Sequence, residues 1–253
     1  MKNTLRLTLL CAGLLFALVS LTSPDEPSSV KIGEQVWTNA NLSVTHFRNG
    51  DEIPESKSKE DWLKAGYREE PTWCYYKFDE QYSHLGKLYN YYAVSSDKNL
   101  APSGWKVPSF FDFKELIQYL DPLMTDSLFF SWKPSYTGGS LISKHSDLWK
   151  GSQCPQIDAH FNALPVGRYY PILDYPEFDW DELGDVAGFW CRTNWTRLAE
   201  KCSEEDRLHI LREIDSGDLV EKAIVGRIHK GCRIDFDEDP KLTGWSVRLL
   251  QEQ

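Results

Sequence analysis

The chain lacks the residue spacings by which most catalytic chemistry is recognised. No Cys-x-x-Cys pair occurs, which argues against a zinc ribbon or a thioredoxin-type redox site. Its histidines, His46, His84, His145, His160, His209 and His229, never fall at His-x-x-x-His or beside a cysteine at metal-ligand spacing. There is no Gly-x-Ser-x-Gly to present a nucleophilic serine, and no Gly-rich phosphate loop. Internal repeats and low-complexity blocks are absent as well. Basic residues are in deficit, with 28 Lys and Arg against 38 Asp and Glu and a formal net charge of −10. Such a charge disfavours DNA, RNA or an anionic membrane as a partner.

What is present begins with a leader. Lys2 and Arg6 precede an apolar run from Leu7 to Leu21, which Ser23, Pro24, Asp25, Glu26 and Pro27 end abruptly. A basic start, a short apolar core and small residues at its end predict a secretory signal over 1–23, followed by a polar linker at 24–29. The run is shorter than the roughly 20 apolar residues of a membrane-spanning helix, so the mature chain is expected to have no transmembrane span. Cys11 lies in the middle of the run and follows Leu10, a poor position for lipid attachment. The expected location is therefore the periplasm, the outer surface or the medium.

Export permits disulfides. Cys74, Cys154, Cys191, Cys202 and Cys232 remain after cleavage, an odd number that leaves at least one thiol free or available for self-association. Cys191 and Cys202 are close enough in sequence to close a loop. The ten tryptophans suit either a core of rings on short strands or a surface that stacks on sugars and peptides.

Strands are expected over Lys31–Trp37, Val44–Phe47, Trp73–Phe78 and the apolar run Leu88–Val94. Ser58 is placed to cap a helix over Lys59–Ala65, with Gly66 as its stop. The clearest helix starts after Ser109: Asp112 suits the positive helix end, Phe113, Leu116, Ile117 and Leu120 share one face, and Asp121-Pro122 ends it. Short strands are expected over Phe161–Leu164 and Gly188–Cys191. Arg197–Ile214 reads as helix, or as helix followed by an alternating strand over Leu208–Ile214. Val220–Ile228, Gly231–Phe236 and Trp245–Leu250 read as closing strands. One α+β domain over 30–253 is the economical reading.

Several segments, in order, carry a resemblance: Ile32-Gly33-Glu34-Gln35-Val36-Trp37 with Asn41-Leu42; Leu88-Tyr89-Asn90-Tyr91-Tyr92-Ala93-Val94; Gly104-Trp105-Lys106-Val107-Pro108; Phe161-Asn162-Ala163-Leu164-Pro165 with Gly167-Arg168; and Gly244-Trp245-Ser246-Val247-Arg248-Leu249. Together they resemble the Fibrobacter succinogenes major paralogous domain, a family of exported bacterial proteins. The resemblance implies a C-type-lectin-like fold, with short mixed or antiparallel sheets, long loops and paired terminal strands, and no enzymatic activity. It also implies that Cys74 lacks its usual partner, because Leu249 stands where the family has a cysteine. Formylglycine-generating relatives of that fold use a reactive cysteine pair, whereas Cys232 stands alone near the C-terminus.

The expected activity is therefore a non-catalytic binding or adhesion module for a glycan or protein ligand, with a structural subunit of a surface assembly as the alternative. Trp180, Tyr175, Phe178, Tyr170 and Trp195, in loop-like stretches, are the candidate ligand-stacking residues. Asp179, Asp181 and Asp185 are candidate ligands for Ca²⁺, which takes six to eight oxygens. The EF-hand spacing fails, since Leu183 and Trp190 occupy ligand positions. A second acidic group, Asp235, Asp237, Glu238 and Asp239, is a weaker candidate.

Overall fold

The computed structural model describes residues 27–123, 137–149, 151, 158–171, 179–192, 195–201, 204, 207–208, 210–212, 217 and 222–253. The leader lies outside them. In chain order the elements are β1 (Ser29–Ile32), β2 (Gln35–Thr38), α1 (Lys59–Tyr67), β3 (Trp73–Cys74), β4 (Leu88–Tyr89), α2 (Tyr91–Ser95), β5 (Trp105–Lys106) and α3 (Phe110–Leu120). The second half adds α4 (Gly138–Leu141), β6 (Arg168–Tyr169), β7 (Trp180–Asp181), β8 (Val186–Trp190), α5 (Trp195–Lys201), β9 (Lys222–His229), β10 (Ile234–Pro240) and β11 (Leu250–Gln251). The architecture is α+β, as expected.

The expected first strand is split into two. Gly33 adopts φ +61, and Ile32 pairs with Gln35 across a two-residue turn, so β1 and β2 form a hairpin. Glycine at that position supplies a backbone angle other residues resist. β2 then pairs with β11 through Trp37 and Leu250, and β11 with β5, giving an antiparallel sheet of order β1-β2-β11-β5. The two ends of the domain thus share one sheet. A second antiparallel sheet has the order β10-β9-β8.

The segment before β11 ties these parts together. Tyr89 bridges to Trp245, Tyr169 to Gly244 and Phe189 to Ser246, so three consecutive residues reach β4, β6 and β8. Trp245 and Trp190 are fully buried. Their approach requires Gly188: a Cβ there would lie 2.1 Å from the Trp245 ring.

α3 forms as its residues predict. Ser109 and Asp112 make a reciprocal capping box, and Phe110, Phe113, Leu116 and Ile117 are buried. Phe113 packs on Trp37 at 4.8 Å between ring centroids, and Phe110 on Phe236 at 4.7 Å. Each such ring taken from water stabilises the fold by about 1.5–3 kcal/mol. α1 is capped by Ser58 and buries Trp62, whose indole N–H donates to the Leu242 carbonyl at 2.7 Å. It runs one residue past Gly66 to Tyr67.

Other expectations are corrected. Trp73–Phe78 is a strand only at β3, because Lys77 and Phe78 take positive φ and coil the chain into a 3₁₀ turn. Leu88–Val94 is strand at β4 and then helix at α2, where the Asn90 side chain caps by accepting from the Ala93 N–H. Val44–Phe47 and Phe161–Leu164 make only single bridges, His46 to Glu52 and Ala163 to Ile142. The described residues of 207–212 are helical, so the alternating strand there does not form. Trp245–Leu250 is a string of bridges ending in β11.

The Cys191–Cys202 loop is also overturned. Cys191 is a free, buried thiol in the core. Cys74 is free as well, as the resemblance implied. Cys232 is disulfide-bonded, while Cys154 and Cys202 lie outside the described residues. Burial keeps the Cys74 and Cys191 thiols from contact with another chain. Among the described residues no helix is long and apolar enough to cross a membrane.

Candidate functional site

The residues expected to bind ligand do not form one surface. Tyr175 and Phe178 lie outside the described residues. Trp180 is partly buried: it stacks on Tyr169 at 4.3 Å and meets Tyr76 and Phe78 edge-on at 5.0 and 5.1 Å. Its ring belongs to a packed cluster with Trp62, Leu85 and Leu88. Trp195 packs against a different part of the core and donates its indole N–H to the Lys222 carbonyl at 3.1 Å. Tyr170 lies under the Arg168 guanidinium at 5.0 Å.

The acidic candidates are likewise separated. Asp179 is buried against Lys59 at 2.8 Å, Asp181 pairs with Arg168 at 3.3 Å, and Asp185 with Lys230 at 3.4 Å. Each carboxylate faces a different cation, and among the described residues no three His, Cys, Asp or Glu side chains cluster to hold a metal ion. On β10, Asp235 is bound by Arg227, His229 and Arg233 at 2.9–3.0 Å, and Asp239 by Arg168 at 3.2 Å. Asp239 also accepts the Trp245 indole N–H at 2.5 Å. These groups form an ion-pair network. Inside it, burial pushes the Asp239 and Glu182 carboxyls above their ordinary range, while hydrogen bonding and charge from His229 and Arg227 outweigh burial and hold Asp235 below it.

A polar groove of about 380 Å³ lies elsewhere, between four segments remote in sequence. Asn39, Ala40, Asn41 and Ser43, following β2, form one wall. Ser83, His84 and Gly86 close the 3₁₀ turn Glu80–Leu85, while Ser143, His145, Asn162 and Leu164 complete the lining. The last two segments are knitted by Ser143 N–H to the Ala163 carbonyl at 2.9 Å and Ala163 N–H to the Leu141 carbonyl at 2.8 Å. Gly86, at φ +83, lets its turn lie against Asn41, where a Cβ would come within 2.6 Å.

Arg248 braces the groove from behind. It is fully buried. Its guanidinium donates to Asn41 Oδ1 at 2.9 Å, the Thr38 carbonyl at 2.9 Å, and the Phe161 and Asn162 carbonyls at 2.8 Å. Burial alone lowers its pKa to about 9, so it stays charged at neutral pH. Asn41 completes its bonds through Nδ2, to the Leu85 carbonyl at 2.9 Å and to Ser246 Oγ at 3.3 Å.

The other lining groups have capacity left. Among the described residues, the side chains of Asn39, Ser43, Ser83, Ser143, His145 and Asn162 have no hydrogen-bond partner. His84 Nδ1 donates to the Gln81 carbonyl at 3.1 Å, which leaves Nε2 uncommitted. A second hollow, beside the C-terminus, differs: its Asp112 already binds Lys106 at 2.9 Å and closes the α3 capping box. Sequence reasoning missed the groove because its histidines were judged by metal-ligand spacing. The available signal was Asn41 and Asn162, which lie inside the quoted motif segments.

The fold and site define a small α+β protein whose motif segments converge on a buried arginine and frame one polar groove. The chain belongs to the Fibrobacter succinogenes major domain family, whose model matches residues 30–251. No curated protein and no solved structure matches it.

Proposed function

We propose that this chain is an exported, non-catalytic binding module, and that the polar groove takes a glycan, free or carried on a protein, at the bacterial cell surface. The observation that carries the reading is the groove itself: amide, hydroxyl and imidazole groups without internal partners stand on a frame held rigid by Arg248. Sugars offer paired hydroxyl donors and acceptors that such groups satisfy, and pre-organised partners reduce the entropy cost of binding. The volume falls in the roughly 300–1,000 Å³ range of small-ligand sites. The non-catalytic part is supported by Cys74 and Cys191, whose thiols burial pushes up and away from reactivity. The C-type-lectin-like reading is supported by the pairing of β2 with β11, and the export reading by the leader from Lys2 to Leu21.

The test is a glycan array probed with the full chain. Ser43 is exposed at the groove, and Ser43→Trp fills it without touching the core. Binding is expected to fall at least about tenfold, which corresponds to 1.4 kcal/mol, with an unchanged melting temperature. Trp180→Ala should instead destabilise by about 2–4 kcal/mol and leave binding intact. The opposite pattern would return the site to the aromatic residues.

A further inference from the structure

The groove has an electrostatic character opposite to that of the whole chain. The formal net charge is −10, yet among the described residues no Asp or Glu lines the groove. Its titratable lining groups are His84 and His145, which can be neutral or positive but never negative.

Two buried cations stand directly behind the lining. Arg248 holds Asn41 and the Asn162 carbonyl. Lys87 is buried, donates to the Ser43 carbonyl at 2.8 Å and lies over the Trp73 ring at 4.3 Å. Among the described residues neither has a carboxylate within ion-pair distance. The field of Glu55 reaches Lys87, but Glu55 pairs with Lys57 at 3.7 Å. The field of Asp158 reaches His145, but Asp158 is shared with Lys144 at 3.7 Å and His160 at 3.4 Å. Burial in low dielectric screens Lys87 and Arg248 weakly, so their field persists at the groove surface.

We infer that the groove selects an anionic sugar, one carrying a carboxylate of the uronic acid type, over its neutral counterpart. The inference rests on the glycan reading above and specifies the ligand charge at the same site. The unpartnered amides and hydroxyls would take the ring hydroxyls, and the uncompensated cations would favour the carboxylate. The overall negative charge of the protein slows approach of such a ligand but acts from farther away, where salt screens it.

The experiment is calorimetric titration of the full chain with an oligogalacturonide and with the same oligomer fully methyl-esterified, which removes the charge and keeps the sugar. The acid is expected to bind at least about tenfold more tightly, with a preference that shrinks as salt rises. His145 is exposed, so its substitution leaves the core in place. His145→Asp should abolish the preference and His145→Lys should strengthen it. Equal binding of acid and ester, blocked by Ser43→Trp, would overturn the charge inference and leave the glycan site standing. Binding of neither, together with an empty glycan array, would overturn both.

Discussion

Arg248 shows how a buried cation can be held by hydrogen bonds alone, with no ion pair among the described residues. Burying a guanidinium is costly, and here burial depresses its pKa to about 9 instead of a carboxylate raising it. The return is connectivity, because its donors join the β2 end, Asn41 and the Phe161–Asn162 turn to the C-terminal segment. Arg248→Met would remove the buried charge but orphan four acceptors, each costing about 1–3 kcal/mol. We expect urea denaturation to show a loss of about 3–5 kcal/mol, larger than the relief of desolvation. A near-neutral result would mean that the surrounding carbonyls find water. The arginine was legible in the sequence as part of a motif. Its burial was not, since a charged residue between Val247 and Leu249 reads equally well as the outward position of a strand.

At the scale of elements, α3 was the most legible part. Its cap, apolar face and terminator are all local, and local rules decided it. Ser109→Ala should cost about 1 kcal/mol in thermal or urea unfolding, since Asp112 loses its reciprocal partner. The aromatic runs were harder to read. Trp73–Phe78 and Leu88–Val94 have strand-like composition, yet each changes conformation partway, at Lys77 and at Asn90. Such changes are imposed by packing: Tyr76 and Phe78 turn inward to meet Trp180. The second sheet protects one of its edges against strand addition. Its edge strand β10 carries Asp235, Asp237, Glu238 and Asp239 and ends at Pro240, features that blunt edge-to-edge pairing.

For the whole molecule, two couplings matter. The first is topological: Gly244–Gln251 bridges β4, β6 and β8 and pairs with β2 and β5. A chain ending at Thr243 should lose cooperative folding, seen as loss of near-UV dichroism and of a sharp thermal transition. The second is protonic. Glu182 and Asp239 have raised folded pKa values, so the folded state takes up protons where the unfolded chain, near 4.5 and 3.8, does not. Their stabilising contribution is full below those unfolded values and is lost as pH rises through the folded ones. The melting temperature should therefore rise as pH falls toward those ordinary values, and Glu182→Gln should reduce that rise. Asp235, held low, works the other way, and its contribution disappears as pH falls below the ordinary 3.8.

The sequence by itself determined what local chemistry determines: the capped helices α1 and α3, the α+β class and the family. These follow from side-chain period, capping hydroxyls and backbone freedom within a few residues. Tertiary structure alone decided the site. The groove joins positions near 40, 84, 144 and 162, and which polar groups are left unpartnered depends on which carbonyls Arg248 and Lys87 have already claimed. Hydrogen-bond satisfaction and burial are properties of neighbours in space, and no spacing along the chain encodes them.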